Sequence, residues 1–591
     1  MTYSNTYSSP SSPTNFNPFS GMGMRKGGRP SLFPGSGDGS TLNLDFTTGV
    51  LDSRLTFSRA STATFVNSSG YVESAASNEM TYSQSQDSNT FWSAFGTNVV
   101  RTSAQTDPNG GTAAVKLVFT ATAADAVISR TVAINNGLPY TISMWMRSDS
   151  GTLTNVRFAR GAAATGAFFP TLTTTWQRVS LSFTSTGAND GIEIRVLNSG
   201  SPQTATFHVY GAQLESGSTV RAYQPAVAAA AYYAPRFDYS PTNIGEPRGL
   251  LIEGSAINSA LYSENINPNS SPQNIYWVVT GGSGASLASV IPVSQTDPAN
   301  GTTASRCILG TSAVGRVYQG VSTTIGATYT MSFWAKSISG NTALHFWHYN
   351  SATGNYTAVT VGTSWARYQI TVLARSGGGF VEFGIANLTA TAATVDLWGM
   401  QVELGSGASS YIVTGASQVT RNADFLFSAS SSGAGRSNEF SLDDLAPGIS
   451  ALNEHTVLWT YGRDPNSKRE YPASLYARTN ANTERIDLRD FSGTTVEVGT
   501  QTRTVQSVTV GTASIVKIAL AQSTSAYPSS AINGTSATLT SGVIDSALGL
   551  QWVQLCNSSA VGISFNPIWA RQLKVYPTAL TAAQLQTLTT L

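Results

Sequence analysis

From Leu42 onward the chain runs in short stretches where apolar and polar residues alternate, such as Leu42-Asn-Leu-Asp-Phe46 and Arg54-Leu-Thr-Phe-Ser58. Gly, Asn or Pro breaks these stretches roughly every eight to twelve residues, and a period of two with that spacing predicts antiparallel strands in sandwiches or barrels. Helical periodicity is almost absent before the end. There Thr581 and Gln584 form a predicted capping box, Leu580 and Leu585 a hydrophobic staple, and Leu585, Leu588 and Leu591 one apolar stripe. A short terminal helix is expected to close the end of a sandwich. Residues 1–41 differ in texture, being rich in Ser, Pro, Gly and Asn with a basic knot at Arg25, Lys26 and Arg29. Such a segment cannot bury enough apolar surface to fold alone; it reads as a disordered leader or as an extended arm that docks on a partner, and Tyr3, Tyr7, Phe16 and Phe19 favour the arm.

An internal repeat organises the middle of the chain. The segment from Ala104 to Ala114 returns as Ser294 to Ala304, and Tyr140 to Gly151 returns as Tyr329 to Gly340. Trp176 then matches Trp365, Tyr210-Gly-Ala-Gln-Leu-Glu215 matches Trp398-Gly-Met-Gln-Val-Glu403, and Tyr223 matches Tyr411. Order is kept throughout, so one domain was duplicated, as 80–225 and 261–414. Each copy is long enough for a sandwich of eight or nine strands. A third unit, 415–591, shows strands around Thr456, Glu484 and Ile515 before the terminal helix.

Composition narrows the function. At 591 residues several domains are expected, and only 11% of residues are charged, with 33 basic against 32 acidic side chains. Without a surplus of cations, nucleic acid is a poor partner. No stretch approaches the roughly 20 apolar residues of a membrane helix, and no secretory signal is read after Met1, so membrane insertion is not expected. Cys307 and Cys556 fall in different units, which excludes a disulfide framework; both read as buried small hydrophobes.

Leu44-Asp-Phe-Thr-Thr-Gly-Val-Leu-Asp-Ser-Arg-Leu-Thr-Phe-Ser-Arg59, Gly70-Tyr-Val-Glu-Ser-Ala75, Pro235-Arg-Phe-Asp-Tyr-Ser-Pro241 and Pro247-Arg-Gly-Leu-Leu-Ile-Glu253 together resemble tailed-bacteriophage fibre and head-spike proteins. The two repeats resemble jelly-roll carbohydrate-binding modules of such virion proteins, and the run from Ile568 to Leu585 resembles the end of concanavalin A-like, laminin-G-like sandwiches. The resemblance implies an all-β fold of serial antiparallel β-sandwiches: two jelly rolls and a concanavalin A-like sandwich, with an extended N-terminal arm and a short C-terminal helix. In the family the segment ending near Ala75 runs almost directly into Pro-Arg-Phe-Asp. Here the first module intervenes, so 42–79 and 226–260 are expected to pack together as a connecting β segment.

Sugar sites combine aromatic faces with a few polar groups that fix hydroxyl geometry. Alternation places Ile142, Met144 and Met146 in a core and Ser143, Trp145 and Arg147 on the opposite face. In the second copy Met331, Phe333 and Ala335 face the core, and Ser332, Trp334 and Lys336 face away. His345, Trp347 and Tyr349 share one face of the next strand and are read as candidates for the same groove. The candidate carbohydrate-binding residues are therefore Trp145, Arg147, Trp334, Lys336, His345, Trp347 and Tyr349. The plainer alternative packs these Trp side chains beneath a covering loop or a neighbouring subunit, with the cationic stem across the ring.

Glu215, Glu403, Asp107 and Asp297 are weighed as calcium ligands, but Asp107 and Asp297 read first as turn caps through Asx hydrogen bonds. No cofactor or metal is expected. No nucleophile elbow, metalloprotease helix or phosphate loop is present. His345 and His348, three apart on a strand, face opposite sides. The carboxylates around Glu484, Asp487 and Asp490 are paired in sequence with Arg485 and Arg489, which reads as a salt-bridge ladder. The expected function is thus a non-enzymatic virion structural protein, tail fibre or head spike, at the particle surface. Its expected partners are other virion proteins through the arm and host-surface glycans, and a homotrimer is implied by the family alone. The rivals are a purely architectural protein and a polysaccharide depolymerase, though the short-period repeat of a parallel β-helix is missing.

Overall fold

The computed structural model describes residues 38–591 apart from 96–97, 162–166, 199, 269–275, 281–288, 311–314, 350–353, 375–379, 390–391, 431–438, 450–451, 453, 464–469, 477–484, 491–494, 501–502, 512, 524–528, 539–551 and 556–566. The expected docking arm and Cys556 therefore lie outside the described residues, the arm except for its last four positions. The chain is all-β, 54% strand and 4% helix, built from antiparallel sheets.

In the first module one sheet holds Gln177–Thr184, Pro139–Ser148, Gln203–Ser216, Ala114–Ala121 and Val99–Gln105, and the other holds Val156–Arg160, Asn189–Val196, Ala126–Ala133 and Ser93–Phe95. Ile142, Met144 and Met146 enter the core between them, fully buried. The second module repeats the plan. Ser289–Gln295, Ala304–Leu309, Ala393–Leu404, Thr328–Ser337 and Ala366–Leu373 form its first sheet, facing Trp277–Thr280, Gly315–Ser322, Phe380–Asn387, Thr342–Tyr349 and Gly354–Val361.

The recurring motifs do the same local work in both copies. Gly211 and Gly399, in the Tyr-Gly-Ala-Gln and Trp-Gly-Met-Gln strings, sit at φ +63 and +65, where a Cβ would come 3.1 Å from the Tyr223 ring and 3.2 Å from Trp334. Each glycine lets a bulged strand carry a ring directly against it. Asp107 accepts from the backbone N–H groups of Asn109, Gly111 and Ala113, and Asp297 from those of Ala299, Gly301 and Thr303. Both are turn caps. Glu215 and Glu403 are likewise engaged, by Gln213 and the Arg221 N–H, and by Gln401 and the Ser409 N–H.

The last sandwich is assembled from three stretches of chain. Its larger sheet contains Glu454–Gly462, Ile515–Ser523, Ser529–Ile532, Thr535–Thr538 and Ile568–Tyr576, and Ile568–Tyr576 also pairs with Leu42–Asp45 and with Pro247–Ile252. Leu42, Leu44, Leu250 and Ile252 share a core with Trp459, Ile518 and Leu573. The stretches expected to form a separate connecting segment, 42–79 and 226–260, do lie together, but they supply strands to this sandwich. The reason is hydrogen bonding, because Ile568–Tyr576 would otherwise be a bare edge.

Both modules leave this base where they enter it. Tyr232–Tyr233 pairs with Ser77–Asn78, and the Ala234 N–H donates to the Ala76 carbonyl. Ala256–Asn258 pairs with Val419–Arg421 around the second module in the same way. The helix Ala582–Thr589 has the expected capping box and buries Leu585 against Leu458, Ala519 and Tyr576. It covers the outer face of the larger sheet instead of closing an end, and Leu591, 64% exposed, is not part of a buried stripe. The strand Arg485–Asp490 is present; the side chains of its expected ladder lie outside the described residues.

Five charged side chains meet where the three units join. Arg59 reaches Asp424 at 2.9 Å, Arg236 spans Asp424 and Glu253 (2.7 Å to the latter), and Arg421 lies 3.6 Å from Glu253, all with side chains at most 1% exposed. Burial pushes Glu253 up, but Arg421, Arg236 and the Ser410 hydroxyl and N–H outweigh it and hold the carboxyl at about 2. Removing one partner of such a cluster strands a buried charge, at a cost of about 3–5 kcal/mol. Arg236→Met is therefore expected to lower the unfolding free energy of the full chain by that amount, read as a fall in the urea midpoint at unchanged slope, and a loss below about 1 kcal/mol would contradict the assignment.

Burial above all, with the nearby Asp297, pushes Glu264 up to about 8 from 4.5, despite a hydrogen bond with Tyr411. The folded chain thus holds a proton that the unfolded chain releases near 4.5, so stability is greatest below that pH and declines until about 8. In the first module the matching residue after the Tyr-Ser pair is Gln84, whose amide donates to Tyr210. Glu264→Gln is expected to raise the melting temperature by a few degrees at pH 8.5 and leave it unchanged at pH 4. Equal shifts at both pH values would count against this reading.

Candidate functional site

The two faces proposed from the sequence have different fates, and they lie on different sheets. Thr328–Ser337 belongs to the first sheet of the second module and Thr342–Tyr349 to the second. A single groove holding Trp334, Lys336, His345, Trp347 and Tyr349 does not exist, because the two outward faces point away from a shared core.

On the first sheet, Trp334 does point away from the core, but it is only 6% exposed. It packs with Trp398, Tyr411 and Val72, the last from the Thr64–Val66 and Val72–Ser74 hairpin of the base. This is the covering-loop alternative. Lys336 lies 4.9 Å from the Trp365 ring centre and 3.7 Å from Asp396. In the first module Trp145 is half-buried beside Tyr210, and Arg147 lies over Trp176 at 5.3 Å. Each cation therefore lies against a ring just ahead of the neighbouring strand, and of these four residues Trp334 is buried while Trp145, Arg147 and Lys336 are half-buried.

On the second sheet, Leu344 and Phe346 enter the core, and His345, Trp347 and Tyr349 emerge on the other side. Trp347 is the floor of an outward cluster and is itself only 3% exposed. The Arg316 guanidinium lies 4.3 Å over its ring, Tyr349 is nearly parallel to it at 5.9 Å and 13°, and Tyr356 leans on it at 4.9 Å. Its indole N–H donates to Glu382 at 3.1 Å. So Trp347 fixes the arrangement, and the accessible groups are Tyr356, at 36% exposure, with His345, Tyr349 and Tyr318 half-buried around it. Burial, then Glu382, raises the Tyr318 phenol, so it stays a neutral donor.

The alternation of Gly315–Ser322 places Arg316 and Tyr318 on this face, and Tyr318 and Trp347 both oppose Gly384 in register. Sequence reasoning passed over Arg316, Tyr318, Tyr356 and Glu382. The available signal was the repeat itself. In the first module the same row reads Ser129, Glu193 and Ala159. There Arg195 donates to both oxygens of Glu193 and to Asp125, so this row holds an ion-paired cluster where the second module has Tyr318 and Trp347. The two copies share the core and differ at these outward positions.

Among the described residues no group of three His, Cys, Asp or Glu is placed to hold a metal. No family model matches the chain, and no curated protein matches it significantly. Among solved structures it is similar to the N-terminal CBM22-1–CBM22-2 tandem domain from Paenibacillus barcinonensis Xyn10C, at 13% identity over 56% of this chain and 96% of that one, with a TM-score of 0.22. It is also similar to the Ruminococcus gnavus IT-sialidase CBM40 bound to alpha2,3 sialyllactose, at 16% identity over 26% of this chain and 92% of that one, TM-score 0.21. A third is the enzymatically active domain of bacteriophage CBA120 tailspike protein 4, at 14% identity over 25% of this chain and 21% of that one, TM-score 0.19. Similarities of this size leave ligand and origin to the residues themselves.

A Cβ on Gly384 would meet the Val317 carbonyl oxygen at 2.1 Å, so the sheet tolerates only glycine beneath the cluster. Gly384→Ala is expected to lower the melting temperature and to expose Trp347 to acrylamide quenching. Wild-type stability in that variant would show the packing to be looser than described.

Proposed function

We propose that the second module binds host-surface glycans through the outward face bearing Tyr318, His345, Tyr349 and Tyr356 over Trp347, and that the chain is a non-enzymatic structural protein of a phage particle. The observation that carries the glycan reading is the unequal divergence of the two copies. A face that served only solubility would have no reason to carry Tyr318 and Trp347 where the first module carries Ser129 and Ala159. Tyrosine rings offer flat apolar surface for a sugar's C–H face, while Arg316, Glu382 and His345 supply polar groups for its hydroxyls. The resemblance of the strings at Leu44, Pro235 and Pro247 supports a tail fibre or head spike at the virion surface; the homotrimer follows from that resemblance alone, and the docking arm from the composition and aromatic residues of 1–41.

For Trp334 on the first sheet of the second module the architectural reading is favoured, because the 64–74 hairpin already covers it. Binding by one small aromatic face is expected to be weak and to gain from several copies on a particle. The test is a glycan array probed with the full chain, comparing wild type, the Tyr349→Ala/Tyr356→Ala double variant and Trp145→Ala. At least tenfold loss in the double variant, with Trp145→Ala unchanged, is the expected result. Equal signal from all three would sink the assignment, and release of reducing ends from host polysaccharide would replace it with a depolymerase.

A further inference from the structure

Two adjoining cavities lie away from the aromatic face, along the outer side of the larger base sheet and into its junction with the second module. Their volumes are about 540 and 1140 Å³, and they share Ser514, Ile515 and Arg571. Gly462 helps keep the floor open, since a Cβ there would sit 3.2 Å from that of Trp569. The larger cavity exceeds the roughly 300–1,000 Å³ usual for small-molecule sites, and its continuation past Arg571 towards Lys517 makes it a trough suited to a chain.

The charges along the trough are used unequally. Asp238 accepts from the Val66 N–H and the Trp569 indole, Asp45 from the Thr47 N–H and hydroxyl, and Glu253 belongs to the buried ion cluster. These three acids are thus spent on holding the fold, and Glu246, the fourth on the lining, accepts from the Asn243 amide. By contrast, among the described residues Arg571 donates only from Nη1, to the carbonyls of Pro247 and Arg248, and Lys517 makes one bond, to the Thr590 carbonyl at 2.8 Å. Nε and Nη2 of Arg571 and two hydrogens of Lys517 keep their donor capacity. Glu246 and Asp45 act on Arg571 only through space, while burial pulls it down. At the inner wall Trp334 carries a buried indole N–H without an acceptor, and Ser409, Gln369 and Thr371 line the same wall.

We infer that this trough is a second binding site, for an extended acidic saccharide whose carboxylates meet Arg571 and Lys517 and whose hydroxyls meet the Ser, Thr and Gln side chains of the second module. Arg248, Arg367 and Arg463 also line the trough but are engaged with Asp238 and Trp569, with Ser409 and Ser332, and with Ala513 and Gly511, so the donors left to a ligand are those of Arg571 and Lys517, too few for a nucleic acid, whose affinity comes from neutralising many phosphates. A ligand seated there touches both the base and the second module. The site is separate from the tyrosine face and stands whether or not that face binds sugar.

The test is titration calorimetry on the full chain with a hexamer of α-1,4-linked galacturonate, against maltohexaose as the neutral probe. The acidic hexamer is expected to bind, and to weaken as salt rises, with maltohexaose showing at least tenfold less affinity. Lys517→Gln is expected to weaken the acidic hexamer about tenfold. Ser514→Trp, which fills the trough and leaves the Ser514 carbonyl bonded to the Arg463 N–H, is expected to abolish binding at unchanged melting temperature, while Tyr349→Ala/Tyr356→Ala binds like wild type. Equal affinity for the two hexamers, no binding of either, or full affinity in Ser514→Trp would each overturn the site. None of these outcomes bears on the tyrosine face, which the array reads separately.

Discussion

The structure depends on burying five charges at one place. In a chain with only 11% charged residues, Arg59, Arg236, Glu253, Arg421 and Asp424 are withdrawn from water where both modules leave the base. Buried ion pairs are poor sources of net stability, because desolvation cancels much of their attraction. What they do enforce is correctness of assembly. Each carboxylate is answered by arginines from distant stretches of chain, and any misplacement of one stretch leaves a naked charge. The Ser410 and Glu253 N–H bonds and the carbonyls of Thr64, Ala234 and Gly254 complete the cluster, so backbone as well as side chain is held. Asp238 extends the same logic to Trp569 at the end of the last sandwich.

This cluster explains why modules can be inserted at all. A domain spliced into a strand connection is tolerated when its ends lie close together, and here each pair of ends is itself a two-stranded ladder. Arg236 and Glu253 come from the strings at Pro235 and Pro247 that resemble phage fibre proteins, and Arg59 from the string at Leu44. Those strings therefore describe a joint: they encode how a module is mounted, and say nothing of what it binds.

The strand pattern, the duplication, the capped terminal helix and the turn-capping role of Asp107 and Asp297 were all legible in the chain, since each rests on local spacing or on a repeat. The fate of individual rings was not. Alternation told correctly that Trp334 and Trp347 face away from their own core, but facing away from one core differs from facing water. Trp334 is covered by a hairpin some 260 positions earlier, a contact no local period reveals. Trp347 is covered by Arg316, which lies on a strand that the sequence reading left unexamined. Nor could the sharing of Ile568–Tyr576 between Leu42–Asp45 and Pro247–Ile252 be read, because edge pairing across 500 residues is decided by which backbone groups remain unsatisfied.

Duplication is commonly taken as a way to multiply one binding site, and these two copies argue otherwise. Their interiors, turn caps and bulge glycines coincide, so selection for folding acted on both alike. Their outward rows have gone opposite ways, one to an ion pair that satisfies itself and the other to rings that do not. A self-satisfied Glu193–Arg195–Asp125 cluster has little left to offer a ligand, whereas a ring cluster under a single guanidinium retains both apolar surface and polar edges. On the proposed reading, any gain from multivalency then comes from several chains side by side, each bringing one such face.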